Sequence, residues 1–492
     1  MKTRYRILCL GGNALMIAIT CAQGAHMGQS PERPILRSPV IGQLSQYIAG
    51  HTLTIDDAVK LTLAINRTMA QARANLYVFE GKTSEAYAAL NPTLSTALEG
   101  IQLNKSIQNK YLTVLDPATL NQPIGKEYTT YNLDQKFVGV TAELPIDING
   151  TIRAAASQAK FEELGYRLDV NRTRNQIVSD VKGAFYDALR AQALVKVAEE
   201  NLKNSQDRLK DAQDRLAARV VTKFDVLRAQ TDVAAAQQQL IVAHSTEKTD
   251  IAILNSVIGV KVDTAELITD NGAVVVPSQP ASDALQEGGQ LGPEFDSDLK
   301  EALLNRPELQ EADAFESAAK KGIDVARRTQ LPSLNLSWSY LYAPDAGGSN
   351  PIYHSWVAEA LFSIPIFDGG VARARVKEAK GSLYSAEVSK RQAIDQVTLE
   401  AEQAFLAVNE AQQRVSVAEA TLVEATEAFK LAQVRYKAGV TARTGLSPLL
   451  ELSDAQNALT LAESNRVNAL YDYNSANARL DRALGRYSFA KG

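Results

Sequence analysis

FVGVTAELPIDINGTIRAAASQAK, residues 137–160, returns 220 positions later as VAEALFSIPIFDGGVARARVKEAK, residues 357–380. Pro145 falls on Pro365, Gly150 on Gly370 and, further on, Phe185 on Phe405. The offset then grows to 226, setting Ala229-Gln230 on Ala455-Gln456 and Gly259 on Gly485. Upstream, Asn66-Arg67 matches Asn305-Arg306 at 239, and Pro92 matches Pro332 at 240. Two copies of one unit, each of about 200 residues, make most of this 492-residue chain, and the order of elements inside the unit decides the fold.

Each unit opens with a helix, expected from Ile55 to about Asn75 and from Asp298 to about Arg328, the second broken at Pro307. Two strand-like segments follow, then a very long helix, a short break and a second long helix. The long helices carry the plainest signal. Ala184 to Ile258, Ser382 to Ala438 and Leu449 to Leu484 contain neither Gly nor Pro and are rich in good helix formers. Apolar residues recur three, four and seven apart, as in Val195, Ala198, Leu202, Leu209 and Leu216. A continuous helix over residues 152–217 would run about 100 Å. That length suits a rod across a wide compartment, not a compact domain.

The strand segments follow a period of two. Leu334, Leu336, Trp338, Tyr340 and Tyr342 alternate with Ser333, Asn335, Ser337 and Ser339. Trp356, Ala358, Ala360, Phe362 and Ile364 alternate with Val357, Glu359, Leu361 and Ser363. Val138, Val140, Ala142 and Leu144 do the same in the first unit, and a segment near Leu94 to Leu103 alternates poorly. Aromatics on one apolar face over about ten residues fit a membrane strand, lipid on one side and water on the other. A half-buried soluble sheet would need an apolar partner, and helices of about 100 Å leave none in the sequence.

Four strands cannot close a barrel, and an open edge in lipid costs several kcal/mol per unpaired backbone group. Several chains must share one barrel: two would give eight strands, three would give twelve. The proline and glycine of Pro145 to Gly150 and Pro365 to Gly370 sit where a strand hands over to a helix.

The N-terminus reads as a secretory signal peptide over residues 1–22. Lys2, Arg4 and Arg6 precede a short apolar stretch from Ile7 to Thr20. Both cysteines, Cys9 and Cys21, fall there, so the exported chain has no internal disulfide; Cys21 is a candidate lipidation site. Residues 23–50 read as an N-terminal linker, 51–262 as repeat 1, 263–297 as an inter-repeat linker, 298–485 as repeat 2 and 486–492 as a tail. With 52 Lys plus Arg against 56 Asp plus Glu and no basic run, nucleic acid is not an expected partner. The four histidines match no metal-ligand spacing, and no nucleophile motif or phosphate loop is present. No catalytic, cofactor or metal site is expected. A rival reading is an exported periplasmic coiled-coil spacer or adaptor with a soluble sheet and no channel.

This order of elements resembles the TolC-like outer-membrane channel family over about Thr54 to Gly485. The landmarks are NPTLSTALEG and LPSLNLSWSY at strand starts, LPIDINGTIRAA and IPIFDGGVARA at strand-to-helix turns, and FDVLRAQTDV and LLELSDAQNAL past the helix breaks. The resemblance implies an α+β membrane protein, a homotrimer in which four strands per chain make a twelve-strand barrel. That barrel would sit in outer-membrane lipid and continue into a helical tunnel through the periplasm. It also implies a passive exit duct for efflux or type I secretion, docked on a periplasmic adaptor (membrane fusion) protein and an inner-membrane pump, proton-driven or ABC type.

Residue roles follow from the same resemblance. The helix breaks become the periplasmic tips, with Ala218, Val220, Val221, Gly439, Val440 and Thr441 meeting the adaptor. Glu451 and Asp454, three apart on one helix face, become an acidic constriction. Their first-unit counterparts are Asp225 and Arg228. Tyr436 and Arg443 become closing residues, with Asp225 as partner.

Overall fold

The computed structural model describes residues 52–102, 134–264, 267–270, 272, 274–277, 292–343, 353–440 and 448–487. The signal peptide, Cys21, the N-terminal linker and nearly all of both barrel loops lie outside them. So do Thr441, Arg443 and the end of the tail.

Each repeat begins with a broken helix. Repeat 1 has α1 (Ile55–Ile65) and α2 (Arg67–Ala88), and repeat 2 has α5 (Pro293–Asn305) and α6 (Pro307–Arg328). The first break was not anticipated. Asn66 stands there in extended backbone, and its side-chain Oδ1 accepts from the Thr68 and Met69 amides, capping α2. At the second break Arg306 is extended and Pro307 starts the helix. Asn66 therefore does the work of Arg306, so the structural offset is 240, and the sequence match of Asn66-Arg67 to Asn305-Arg306 is one residue out. The first helix also runs past Asn75 to Ala88.

The strands are β2 (Thr93–Gln102), β3 (Asp134–Ile146), β5 (Ser333–Ala343) and β6 (Tyr353–Ser363). They form one antiparallel sheet in the order β2-β3-β5-β6, so β2 and β6 are its two edges. The middle joint sets Ala142 opposite Trp338 and Ile146 opposite Leu334. A minor parallel pair, β1 (Thr52–Leu53) on β4 (Leu267–Ile268), lies at the foot of α1; β4 falls inside the segment read as a linker.

The long helices are α3 (Thr151–Ala217, 67 residues) and α7 (Val371–Ala438, 68 residues). Each would span about 100 Å. Their partners are α4 (Lys223–Ile258) and α8 (Pro448–Ala483), both 36 residues. Gly150 and Gly370 start α3 and α7 with φ of 69° and 93°, a conformation that costs other residues roughly 1–2 kcal/mol. The opening amides are held by aspartate in both repeats. Asp147 accepts from Ile152 and Arg153, and Asp368 from Gly370 and Ala372.

Burial repeats too. Ile177, Val181, Phe185 and Ile258 pack against α1 near the middle of repeat 1. Their counterparts Val397, Ala401, Phe405 and Leu484 pack against α5 and α6. A third cluster, with Ala212, Val226, Ala229, Ala432, Tyr436, Leu449 and Leu452, ties all four long helices together at the far end. Buried alanines dominate these helices, which lets them approach closely.

Candidate tunnel tip and membrane sheet

Both helix breaks end in the same way. Val220 N–H donates to Arg215 O at 2.8 Å, and Val440 N–H to Arg435 O at 3.0 Å. These are the reach-back bonds of a helix that stops on a left-handed residue. Gly439 holds that place at φ 70°, and Arg219 holds it in repeat 1 at φ 61°. Ala218, Val220, Gly439 and Val440 are exposed and Val221 is half-buried. The expected adaptor-facing tips are thus at the surface, apart from Thr441, which is not described.

Thr222 restarts repeat 1 with a capping box. Asp225 N–H donates to Thr222 Oγ1 at 3.3 Å, while the Asp225 carboxylate accepts from Thr222 N–H at 2.9 Å and from Thr222 Oγ1 at 2.8 Å. Asp225 is buried in this cap. Arg228 lies half-buried on the next turn.

Tyr436 is also buried, and the groups on its ring come from α3. The Arg215 guanidinium sits 4.2 Å from the ring centre, and Arg215 Nη1 donates to Tyr436 O at 3.2 Å. Arg215 Nε in turn pairs with Asp211 at 3.1 Å. Burial, reinforced by Asp211, raises the Tyr436 phenol above its ordinary value, so it stays a neutral donor. A cavity of 250 Å³ opens beside it, lined by Arg208, Asp211, Arg215, Tyr436 and Gln456 among others.

Glu451 and Asp454 stand at the start of α8, Glu451 half-buried and Asp454 exposed. Arg435 Nη1 lies 2.6 Å from Glu451 Oε1. Ser453, between them, donates to Asp232 of α4 at 2.6 Å. Arg215, Asp211, Arg435 and Asp232 were missed in the sequence. The signal for two of them was present: Asp211 and Arg215 are an i, i+4 pair on the first helix to reach the tip.

At the other end of the molecule the sheet shows its apolar face to the outside. Leu94, Leu98, Trp338, Trp356 and Phe362 are exposed, and Ile366 and Phe367 are 96% and 88% exposed. No helix among the described residues is long and apolar enough to cross a membrane, and these residues contain no cluster able to hold a metal ion. The sheet is the part of the chain suited to lipid.

The family description "Outer membrane efflux protein" matches residues 58–260 and 299–486, one stretch per repeat. The chain belongs to this family. Its outer-membrane placement, its extension into the periplasm and its role as an efflux channel rather than an enzyme follow. One relative is the toluene efflux pump outer membrane protein TtgC of Pseudomonas putida, 24% identical over 97% of this chain and 93% of that protein. Another is the pyoverdine export outer membrane protein OpmQ of the same species, 22% identical over 88% of this chain and 85% of that one. Among solved structures, the outer membrane protein VceC of Vibrio cholerae superposes with a TM-score of 0.67 at 18% identity, covering 88% of this chain and 96% of its own.

Proposed function

We propose that three copies of this efflux channel protein make a passive duct through the outer membrane and periplasm, completed below by a periplasmic adaptor and an inner-membrane pump. The observation that carries this reading is the sheet. It has two unpaired edges and an apolar outward face, and it is joined directly to helices of about 100 Å. Three such sheets close twelve strands, and twelve long helices continue the wall.

Transport needs no chemistry from this chain; the pump supplies energy and selects cargo. In this reading the exposed residues Ala218, Val220, Gly439 and Val440, with Val221 and Thr441, meet the adaptor. Glu451 and Asp454 narrow the mouth. Tyr436, with Asp225, Arg228 and Arg443 nearby in sequence register, holds the hairpins together, and Arg215 and Asp211 complete that contact. Opening would then require Arg215 to leave Tyr436.

Purified protein in a planar bilayer tests this directly. The wild type should show small, rare conductance steps. Arg215→Ala should raise open probability, because the contact between α3 and the end of α7 is lost. Absence of conductance in both would count against a channel.

A further inference from the structure

The internal joint between the repeats is a template for the joint between chains. Inside the chain, β3 pairs with β5. The counterpart of β3 at an offset of 220 is β6, and the counterpart of β5 at 240 is β2, and these are the two free edges. We propose that β6 of one chain pairs antiparallel with β2 of a second copy, with Phe362 opposite Leu98, Ile364 opposite Thr96 and Ile366 opposite Leu94. This rests on the shared-barrel reading above and adds the residues that make the contact.

The two repeats differ where the proposal says they must. Leu144, Pro145 and Ile146 are laddered onto Leu336, Asn335 and Leu334. Their counterparts Ile364, Pro365 and Ile366 lie beyond the end of β6 at Ser363. Ile146 is half-buried while Ile366 is 96% exposed. The neighbour's Leu94 and Thr96 would extend the ladder over that segment.

Side-chain parity restricts the alternatives. The register sets Phe362, Ile364 and Ile366 on the same face as Leu94 and Leu98, all of them apolar and exposed. A slip of one residue would turn one strand's apolar set toward water. A slip of two that set Phe362 opposite Thr96 would place Glu359 directly opposite Glu99, like charge on like charge. The opposite slip would place Leu94 opposite Asp368, whose carboxylate is already engaged in capping α7. In the proposed register Glu99 stands opposite Leu361.

The helices beneath agree. α2 and α6 each have 22 residues and start 240 apart. Gly322 of α6 lies on α3, where an added Cβ would come within 3.5 Å of Gln158 Oε1. The counterparts of Gly322 and Gln158 are Lys82 and Glu378, both exposed. One chain's Lys82 would therefore meet its neighbour's Glu378.

Disulfide trapping in outer-membrane preparations tests the register. Leu98→Cys with Phe362→Cys should give covalent dimers and trimers on mild oxidation, while either single variant and the parent chain should not. Leu98→Cys paired with Ala360→Cys or with Ile364→Cys should link weakly, because diagonal neighbours stand roughly 7–8 Å apart. Stronger linking in a diagonal pair would overturn the register. So would no linking in any pair while lysine cross-linking still reports a trimer. No oligomer by either method would instead sink the shared barrel itself. For the helices, Lys82→Glu should lower the trimer's resistance to SDS, and adding Glu378→Lys should restore it; failure of the second change to rescue would remove the Lys82–Glu378 contact.

Discussion

Arg435 sets how acidic the mouth of the duct is. Glu451 and Asp454 share a helix face, so three chains would bring six carboxylates together. Arg435 lies 2.6 Å from Glu451, which leaves the exposed Asp454 as the stronger source of field. Replacing Arg435 with Ala should therefore raise the preference for cations, and Asp454→Asn should lower it more than Glu451→Gln does. Reversal potentials in a salt gradient measure both. The expected changes in permeability ratio are about twofold to fivefold, since a charge near water is worth roughly 1 kcal/mol or less at a few ångströms. Residue roles were only partly legible in the sequence. The offset of 226 placed Glu451 and Asp454 on the counterparts of Asp225 and Arg228. It could not show that Asp225 is consumed by the cap of α4, because Thr222 and Asp225 read equally well as any tip residues until the helix start is located.

Between elements, the packing of α6 on α3 should depend on pH. Glu311 of α6 faces Arg172 of α3 at 3.3 Å, with Asp169 and Glu308 close by. Burial raises its carboxyl to about 7, and the attraction of Arg172 offsets only part of that. The folded chain thus holds a proton that the unfolded chain, with an ordinary carboxyl near 4.5, releases. Stability should rise as pH falls from about 7 to 4.5, and the gain is lost as pH climbs through 7. Glu311→Gln should flatten this dependence. It should raise the thermal midpoint at pH 8, by an amount on the order of 1–3 kcal/mol in stability, and change little at pH 5. Melting curves of both proteins across this range decide it; an unchanged slope would remove Glu311 as the cause. The helices themselves were the most legible elements, because 67 residues without a breaker cannot be mistaken. The break at Asn66 was not legible. Pro307 announces its counterpart, whereas Asn66 interrupts the helix by side-chain capping, and asparagine is common inside helices as well.

At the scale of the whole molecule, the two faces of the sheet must experience different solvents. The alternation in β5 and β6 made the barrel legible from sequence. The exposed edge β2 was harder to read, because its face mixes Leu94 and Leu98 with Thr96 and Gly100. Ala358 lies at the middle of β6, opposite Trp338 on the apolar face, and Val357 next to it points to the other face. An arginine facing the lipid midplane costs roughly 2–4 kcal/mol, so three copies in one barrel would cost roughly 6–12 kcal/mol. An arginine facing water inside the barrel costs little. Ala358→Arg should therefore reduce SDS-resistant trimer and leave unassembled chains, while Val357→Arg should assemble normally and raise the anion preference of the pore. A soluble spacer predicts no such difference, since both positions are exposed on the separate chain. Because the two substitutions are adjacent and chemically identical, only the orientation of the strand in a membrane separates them. Equal tolerance of both would return the sheet to water and the chain to the spacer reading.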